Sequence, residues 1–328
     1  MRRLALLILA ALPLAAQIDT SVVNRMKKEL RPSTQAFSFA AIGDQQYGED
    51  GERKWPALVE SINAAKGLRF AIHVGDIKSG SSHCSDDLFA DRLRGFNLFL
   101  RPMILTPGDN DWTDCHRPAD GGYDPLERLA QVRKVFFSTD ESFGKKKLRL
   151  IQQSAPFREN AVWAQGNVLF VTVHVIGSNN NLGRNAANDA EYAARNRATI
   201  EWMRAAFTVA KENKFGSVVL AFQADPLFPL VPDGHAEPTA GFKDTLRAME
   251  DESISFGKPV LAIHGDSHFF RFDQPLVRTS DKRLIDNFFR LEVPGETEAH
   301  WVRVDVDPKQ PTSPFRIQHI TVPENTNR

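Results

Sequence analysis

Four apolar runs in this chain end in the same two residues. The stretches AAIGDQQ, IHVGDIKSG, LTPGDNDW and AIHGDSHFF place Asp44, Asp76, Asp109 and Asp266 one glycine past a core-like strand. One Gly-Asp alone is an ordinary turn. Four of them constrain the chain to a fold that delivers strand ends to one place. In open α/β sheets that place is the crevice beyond the carboxyl ends of the strands, where ligands collect. Carboxylates converging there repel one another unless neutralised, and divalent cations are the natural neutraliser.

The stretches between these runs support an α/β chain. RKWPALVESINAAKG reads as a helix closed by Gly67, and SDDLFADRLRGFNLFL as a helix burying Leu88, Leu93 and Phe96. Asp124 and Pro125 open a further helix, with Glu127 placed to reach back, whose inner face is Leu126, Leu129, Val132 and Phe136. ENAVWAQGNVLFVTV predicts two strands turning near Gly166. A long helix is predicted over 189–213, with Ile200, Met203, Phe207 and Ala210 inside and Glu191–Arg195 as a surface pair. SVVLAFQADP and PVLAIHGDSH read as buried strands, and three alternating strands end the chain. The pattern fits one α/β domain over 36–328 containing two sheets, preceded by a lead-in helix or arm over 17–35.

Lys+Arg and Asp+Glu balance at 41 each among 328 residues, so overall charge indicates neither nucleic acid nor an anionic membrane as partner. The opening MRRLALLILAALPLAAQ has a basic start, a short apolar run and small residues, which predicts a signal peptide over 1–16 cleaved near Ala16. An uncleaved anchor is the alternative. With cleavage the chain is exported, to a periplasm or the outside, and no later segment reads as transmembrane. Cys84 and Cys115 are the two cysteines. An oxidising compartment favours their pairing, which would tie SSHCSDD to DWTDCHR; two free thiols are the alternative.

The ordered acids resemble the calcineurin-like metallophosphoesterase superfamily, in a divergent branch carrying GDND, QADP and HGDSH. That family reads Asp-x-His/Gln, Gly-Asp, Gly-Asn-His-Asp/Glu, a later His, then Gly-His-x-His. The corresponding stretches are Asp44-Gln45-Gln46, Gly75-Asp76, Gly108-Asp109-Asn110-Asp111, Gln223-Ala224-Asp225 and Gly265-Asp266-Ser267-His268. The match runs in order from about Phe37 to His268. Asp109 stands where the family has Asn, Asn110 where it has the His that handles the leaving group, and Asp266 where it has the first His of the last motif.

The resemblance implies a two-sheet αββα sandwich with its metal site at the carboxyl ends of the strands. It implies one ion on Asp44, Gln46, Asp76 and His268, and a second on Asp76, Asp109, Asp266 and Gln223. Asp76 would bridge them, and a metal-activated hydroxide would attack a phosphomonoester or phosphodiester. Asn110 would face the substrate, and His264, beside Gly265 and Asp266, is the candidate acid. Asp111, His174 and Asp225 would stand behind the ligands or against the substrate. Oxygen ligands replace much of the family's histidine, which favours Mn²⁺ or Mg²⁺ over Zn²⁺, with iron or Ca²⁺ as further candidates. The partner implied is a small phosphorylated substrate. The reading from another class is a non-catalytic metal- or ligand-binding protein that keeps the fold. GSNNN (177–181), Trp112 and Arg117 are further residues of interest, each with an ordinary structural reading as a turn, an anchor or an exposed cation.

Overall fold

A computed structural model describes residues 18–228 and 239–326 of the chain. The signal-peptide expectation over 1–16 lies outside the described residues. Two sheets stack face to face. The first has the order β12-β11-β1-β2-β3, from β1 (Phe37–Ile42), β2 (Leu68–His73), β3 (Met103–Leu105), β11 (Trp301–Val306) and β12 (Phe315–Ile320). Its strands β1, β2 and β3 are parallel, which requires crossovers. The helices α2 (Gly48–Ala64) and α3 (Asp86–Phe96) supply them. The second sheet has the order β4-β5-β6-β7-β8-β10-β9. Its strands are β4 (Ile151–Gln152), β5 (Ala161–Gln165), β6 (Val168–Thr172), β7 (Ser217–Ala221), β8 (Val260–His264), β9 (Arg271–Asp273) and β10 (Phe288–Glu292). Here β6, β7, β8 and β10 run parallel.

Period-two alternation decides the layers. On β1, Phe37, Phe39 and Ala41 point between the sheets, while Ala40 and Ile42 point to the helices α2, α3 and α4 (Pro125–Phe136). On β8, Leu261 and Ile263 point between the sheets. Val260 and Ala262 meet α1 (Thr20–Glu29), α6 (Ala186–Glu212) and α7 (Lys243–Phe256) on the far side. Phe39, Phe70, Trp163 and Phe170 pack the middle layer, with Phe39–Phe70 centroids at 5.3 Å and Trp163–Phe170 at 5.1 Å. The result is the expected α/β two-sheet αββα sandwich.

Register brings the acidic loops together. Ile42 pairs with His73 and His73 with Leu105, so the first three Gly-Asp turns leave the sheet at neighbouring levels. Ala221 pairs with Ile263 in the second sheet, which places the ends of β7 and β8 side by side at its own carboxyl edge.

Several local expectations change. The lead-in is the helix α1, capped by Asp19 accepting from the Ser21 N–H at 2.9 Å, and its Met26 is fully buried in the second sheet's helical layer. The helix α2 starts at Gly48 and ends at Ala64, before Gly67. The inner face of α3 is Phe89, Arg92 and Phe96, with Leu88 and Leu93 half-buried beside it. Glu127 pairs with Arg128 instead of reaching back to the cap. Arg195 is wholly buried and paired to Glu191 at 2.7 Å, so that pair is interior and not on the surface. The helix α7 has no counterpart in the sequence reading, although its buried Leu246, Met249 and Phe256 fall on one face at helical spacing.

Cys84 and Cys115 are bonded, with Cα atoms 5.8 Å apart and a separation of 31 residues. Closing a loop of that length stabilises by about 3 kcal/mol in the chain-entropy model. Urea unfolding of Cys84→Ser/Cys115→Ser is expected to show a loss of about that size.

Candidate metal centre

Three of the four strand-end aspartates sit in left-handed backbone. Asp44 has φ 51°, Asp76 54° and Asp266 78°. Non-glycine residues hold such conformations at a cost of about 1–3 kcal/mol each, and such strain concentrates at functional sites. The neighbouring glycines make room for the acids. A methyl on Gly108 would overlap Asp76 Oδ1, and one on Gly265 would overlap Asp44 Oδ2. Backbone donors then hold the carboxylates in place. Asn110 N–H donates to Asp76 Oδ1 at 3.0 Å, Asp266 N–H lies 3.2 Å from both Asp44 oxygens, and Asp225 N–H donates to Asp266 Oδ2 at 2.9 Å.

Asp76, Asp109 and Asp266 each offer an oxygen within 4.8 Å of the other two. Asp44 joins them through Asp266, and His268 approaches with Nε2 3.6 Å from Asp44 Oδ1. Burial, together with the charge of neighbouring aspartates, raises the Asp44 and Asp76 carboxyls well above their usual range. Burial and Asp109 push Asp266 up to about 8. Divalent cations fit this group. Asp109 Oδ1 is buried without a hydrogen-bond partner, and the oxygen donors suit a hard ion. The approach is close-fitting, since a methyl on Gly177 would come within 2.7 Å of both Asp109 Oδ2 and Asp266 Oδ1.

Polar side chains from other elements enclose the acids. Asn110 Nδ2 donates to Asp76 Oδ2 at 2.9 Å. Gln223 Nε2 stands 3.2 Å from Asp76 Oδ2 and 3.1 Å from Asp266 Oδ1, while its Oε1 accepts the Gly177 N–H at 2.6 Å. That N–H fixes the amide, because flipping it would set donor against donor. Gln223 therefore presents its NH₂ to the acids, and its oxygen is turned away from the ligand role expected of it. Asp111 accepts from Ile77 N–H at 2.8 Å and Gly108 N–H at 2.7 Å. It thus ties the second acidic loop to the third from behind the ligands. Asp225 accepts from Ser267 Oγ at 2.9 Å and braces the turn that bears Asp266.

Three expected residues are placed elsewhere. Gln46 Oε1 is buried without a partner beside Gly95 of α3, and among the described residues its side chain makes no hydrogen bond to the acids. Its left-handed φ of 63° precedes Tyr47, and Tyr47 is the residue that reaches the site, its hydroxyl donating to Asp76 Oδ2 at 3.0 Å. His264 lies on the helix-facing side of β8. It stacks on Phe222 at 5.7 Å and donates from Nδ1 to Gly265 O, so it is a buried neutral residue with its pKa lowered to about 4. His174 donates from Nδ1 to Glu159 at 2.8 Å and accepts from Trp112 Nε1 at 3.2 Å, which makes it an anchor.

The sequence reading does not include Tyr47, Ser178 and Asp114 among the site residues. Ser178 Oγ lies 2.8 Å from both Asp109 Oδ2 and Asp114 Oδ1. It belongs to the one-turn α5 (Gly177–Asn180), where Ser178, Asn179 and Asn180 all have positive φ. Arg195 holds that turn from beneath, donating to Asn180 Oδ1 at 2.7 Å and His174 O at 2.9 Å. The density of small polar residues in GSNNN is the signal that marked this segment. Tyr47 carried none beyond its place in a strand-end loop.

No family model matches the chain, and no curated protein matches it. Among solved structures the chain is similar to PhoD, with a TM-score of 0.52 and 12% identity over 88% of this chain and 69% of that one. It is similar to the purple acid phosphatase PPD1 from yellow lupin (Lupinus luteus) seeds, with a TM-score of 0.50 and 12% identity over 84% of this chain and 50% of that one. A third match, at TM-score 0.47 and 10% identity over 87% and 89%, is to GAP50, the anchor in the inner membrane complex of Plasmodium. The chain spans half the length of the lupin phosphatase. At such identities the likeness shows the fold, which is the two-sheet sandwich of the metallophosphoesterase type.

Two titration effects oppose each other. Asp111 rises to about 6, Asp114 to about 7 and Asp266 to about 8, burial being the first cause in each. In metal-free protein their contribution is full below the unfolded carboxyl pKa of about 4 and is lost as pH rises through those values. His73, His174 and His264 are lowered to about 3, 4 and 4 by burial, so the fold loses stability as pH falls below about 6.5. Thermal melts of chelator-treated protein are expected to decline on both sides of mildly acidic pH. Added Mn²⁺ should lessen the alkaline decline alone, and Asp266→Asn should reduce it without metal.

Proposed function

We propose that this chain is an exported metal-dependent phosphoesterase acting on a small phosphorylated substrate. The observation that carries this reading is the convergence of Asp76, Asp109 and Asp266, with Asp44 beside them, at the strand ends of a phosphoesterase-type sandwich. Asp44, Asp76, Asp109, Asp266 and His268 would hold two divalent ions. Such ions supply Lewis acidity toward a phosphoryl oxygen and activation of water at neutral pH.

The chain's own groups would do the rest. Asn110 Nδ2, Gln223 Nε2 and the Tyr47 hydroxyl are donors aimed at the space between the acids. These donors would bind phosphoryl oxygens and hold the phosphorus for in-line attack. Asn110 cannot give up a proton near neutral pH, and His264 faces Phe222. A leaving group that departs as a stable anion suits this arrangement. The Cys84–Cys115 disulfide supports an exported protein.

Asn110 in the leaving-group position also supports the second reading, a metal-binding protein without turnover. Elemental analysis with p-nitrophenyl phosphate and bis-p-nitrophenyl phosphate assays separates the two. The expected result is about two ions per chain, with turnover that falls at least about a hundredfold in Asp76→Asn. Bound metal without turnover on either ester would favour the binder, and failure to bind metal under any loading would end both. Because the ligands are mainly oxygen, Mn²⁺ or Mg²⁺ is expected to support higher turnover than Zn²⁺.

A further inference from the structure

Among the described phenylalanines only Phe269, Phe270 and Phe272 are exposed, by 65%, 40% and 42%, and all three lie in the short stretch that follows His268. Single exposed apolar residues are ordinary, whereas a cluster of large ones marks a binding surface. This cluster starts at the metal centre. His268 Nε2 lies 3.6 Å from Asp44 Oδ1, and its ring meets Tyr47 edge-on at 5.4 Å.

Strand alternation carries the surface onward from there. Arg271 pairs with Glu292 at 3.4 Å, and Glu292 lies beside His264 on the helix-facing side of the second sheet. Phe270 and Phe272 therefore point the other way, toward the first sheet. Their contacts agree. Phe270 stacks on His319 of β12 at 5.0 Å, and Phe272 on Phe289 of β10 at 6.1 Å. The strands β9 and β12 are the outer strands of their sheets, so these rings lie along the side of the sandwich where the two sheet edges face each other. From His268 to Phe272 the chain covers at most about 13 Å at the rise of an extended strand. The strip is held in place at both ends. Ser267 Oγ donates to Asp225 at 2.9 Å, and Arg290 Nε donates to Asp273 at 2.8 Å.

The surface is thus narrow, apolar and joined to the acids at one end. Edge-to-edge pairing with a second copy does not suit it, because β9 has three residues. An extended hydrocarbon suits it, because such a chain gains by covering ring faces along its length. We propose that the strip formed by Phe270 and Phe272, with Phe269 at its upper end, binds an apolar chain of the substrate, so that the substrate is a phosphoester of an amphiphile. This rests on the phosphoester reading of the metal centre. The phosphoryl group would lie at the acids and their ions, and the hydrocarbon would run from His268 along β9.

The test compares ethylphosphonate with octylphosphonate, whose carbon–phosphorus bonds a phosphoesterase does not cut. Calorimetric titration of the Mn²⁺-saturated full-length protein, with octylphosphonate kept monomeric, is expected to show the longer chain binding about tenfold or more tightly. The ratio should fall toward one in Phe270→Ser and in Phe272→Ser, with the affinity for ethylphosphonate unchanged, which shows that fold and centre are intact. Phe270→Leu, which keeps an apolar side chain, should retain most of the ratio. A ratio near one in the unsubstituted protein would overturn the strip and leave the phosphoester reading standing. Self-association or vesicle binding that the serine variants abolish would, with that ratio, assign the rings to a second copy or a membrane. A ratio that survives both serine substitutions would overturn the strip as well. Binding of neither phosphonate would overturn the strip and the phosphoester reading together.

Discussion

The mutual repulsion of four aspartates is the constraint around which this molecule is arranged. Asp44 and Asp76 are buried, and Asp109 is 6% exposed. Carboxylates at such burial favour the neutral form unless cations or donors compensate. The fold compensates with backbone amides aimed at Asp44, Asp76 and Asp266 and with the amide groups of Asn110 and Gln223. The left-handed φ values of the three loop aspartates follow from this. A side chain that must turn back into the crevice immediately after a strand needs a reversal of the backbone at its own residue.

The rest of the structure holds those loops in register. Parallel pairing sets the level at which β1, β2 and β3 end, and the buried aromatic layer holds the two sheets together. Behind the second sheet, Arg195 anchors the Asn180 turn to α6 and sits over Trp112 at 5.4 Å. Behind the first, the wholly buried Lys78–Asp120 pair at 2.8 Å fixes the chain after Asp76 to the turn that follows Arg117. Both cations are desolvated and each is met by an acceptor, the condition under which a buried charge is tolerated.

What the sequence made legible was local. Gly-Asp after an apolar run marks a strand end and a tight turn at once, so the four acids, the two sheets and most of the helices could be read directly. The Cys84–Cys115 pairing followed from reading the opening residues as a signal peptide. What stayed hidden depends on direction or on distant partners. Gln46 and Tyr47 are adjacent, and one left-handed residue decides which of them faces the acids. His264 follows the strand alternation of β8 onto the helix side, although its neighbour Asp266 enters the site. Gln223 reads as a possible oxygen ligand until the Gly177 N–H, 46 residues away in the chain, takes that oxygen. Arg195 looks like a surface partner of Glu191 until the Asn180 turn closes over it.

The two halves of the site are secured differently. Asp76 and Asp109 lie on loops joined by a disulfide, by Asp111 bonding backbone N–H groups of both, and by Asn110 reaching Asp76 with main chain and side chain. Asp44 and Asp266 belong to different sheets and meet through one backbone N–H and through the His268 approach, with His268 itself shared with the exposed Glu296. Separation of the sheets would spread Asp44 and Asp266 while leaving Asp76 and Asp109 in place. Ions held across that boundary would stabilise the folded state over the unfolded one, because only the native packing presents both halves together. The acids that strain the metal-free fold thus become, once neutralised, a bond between its two sheets.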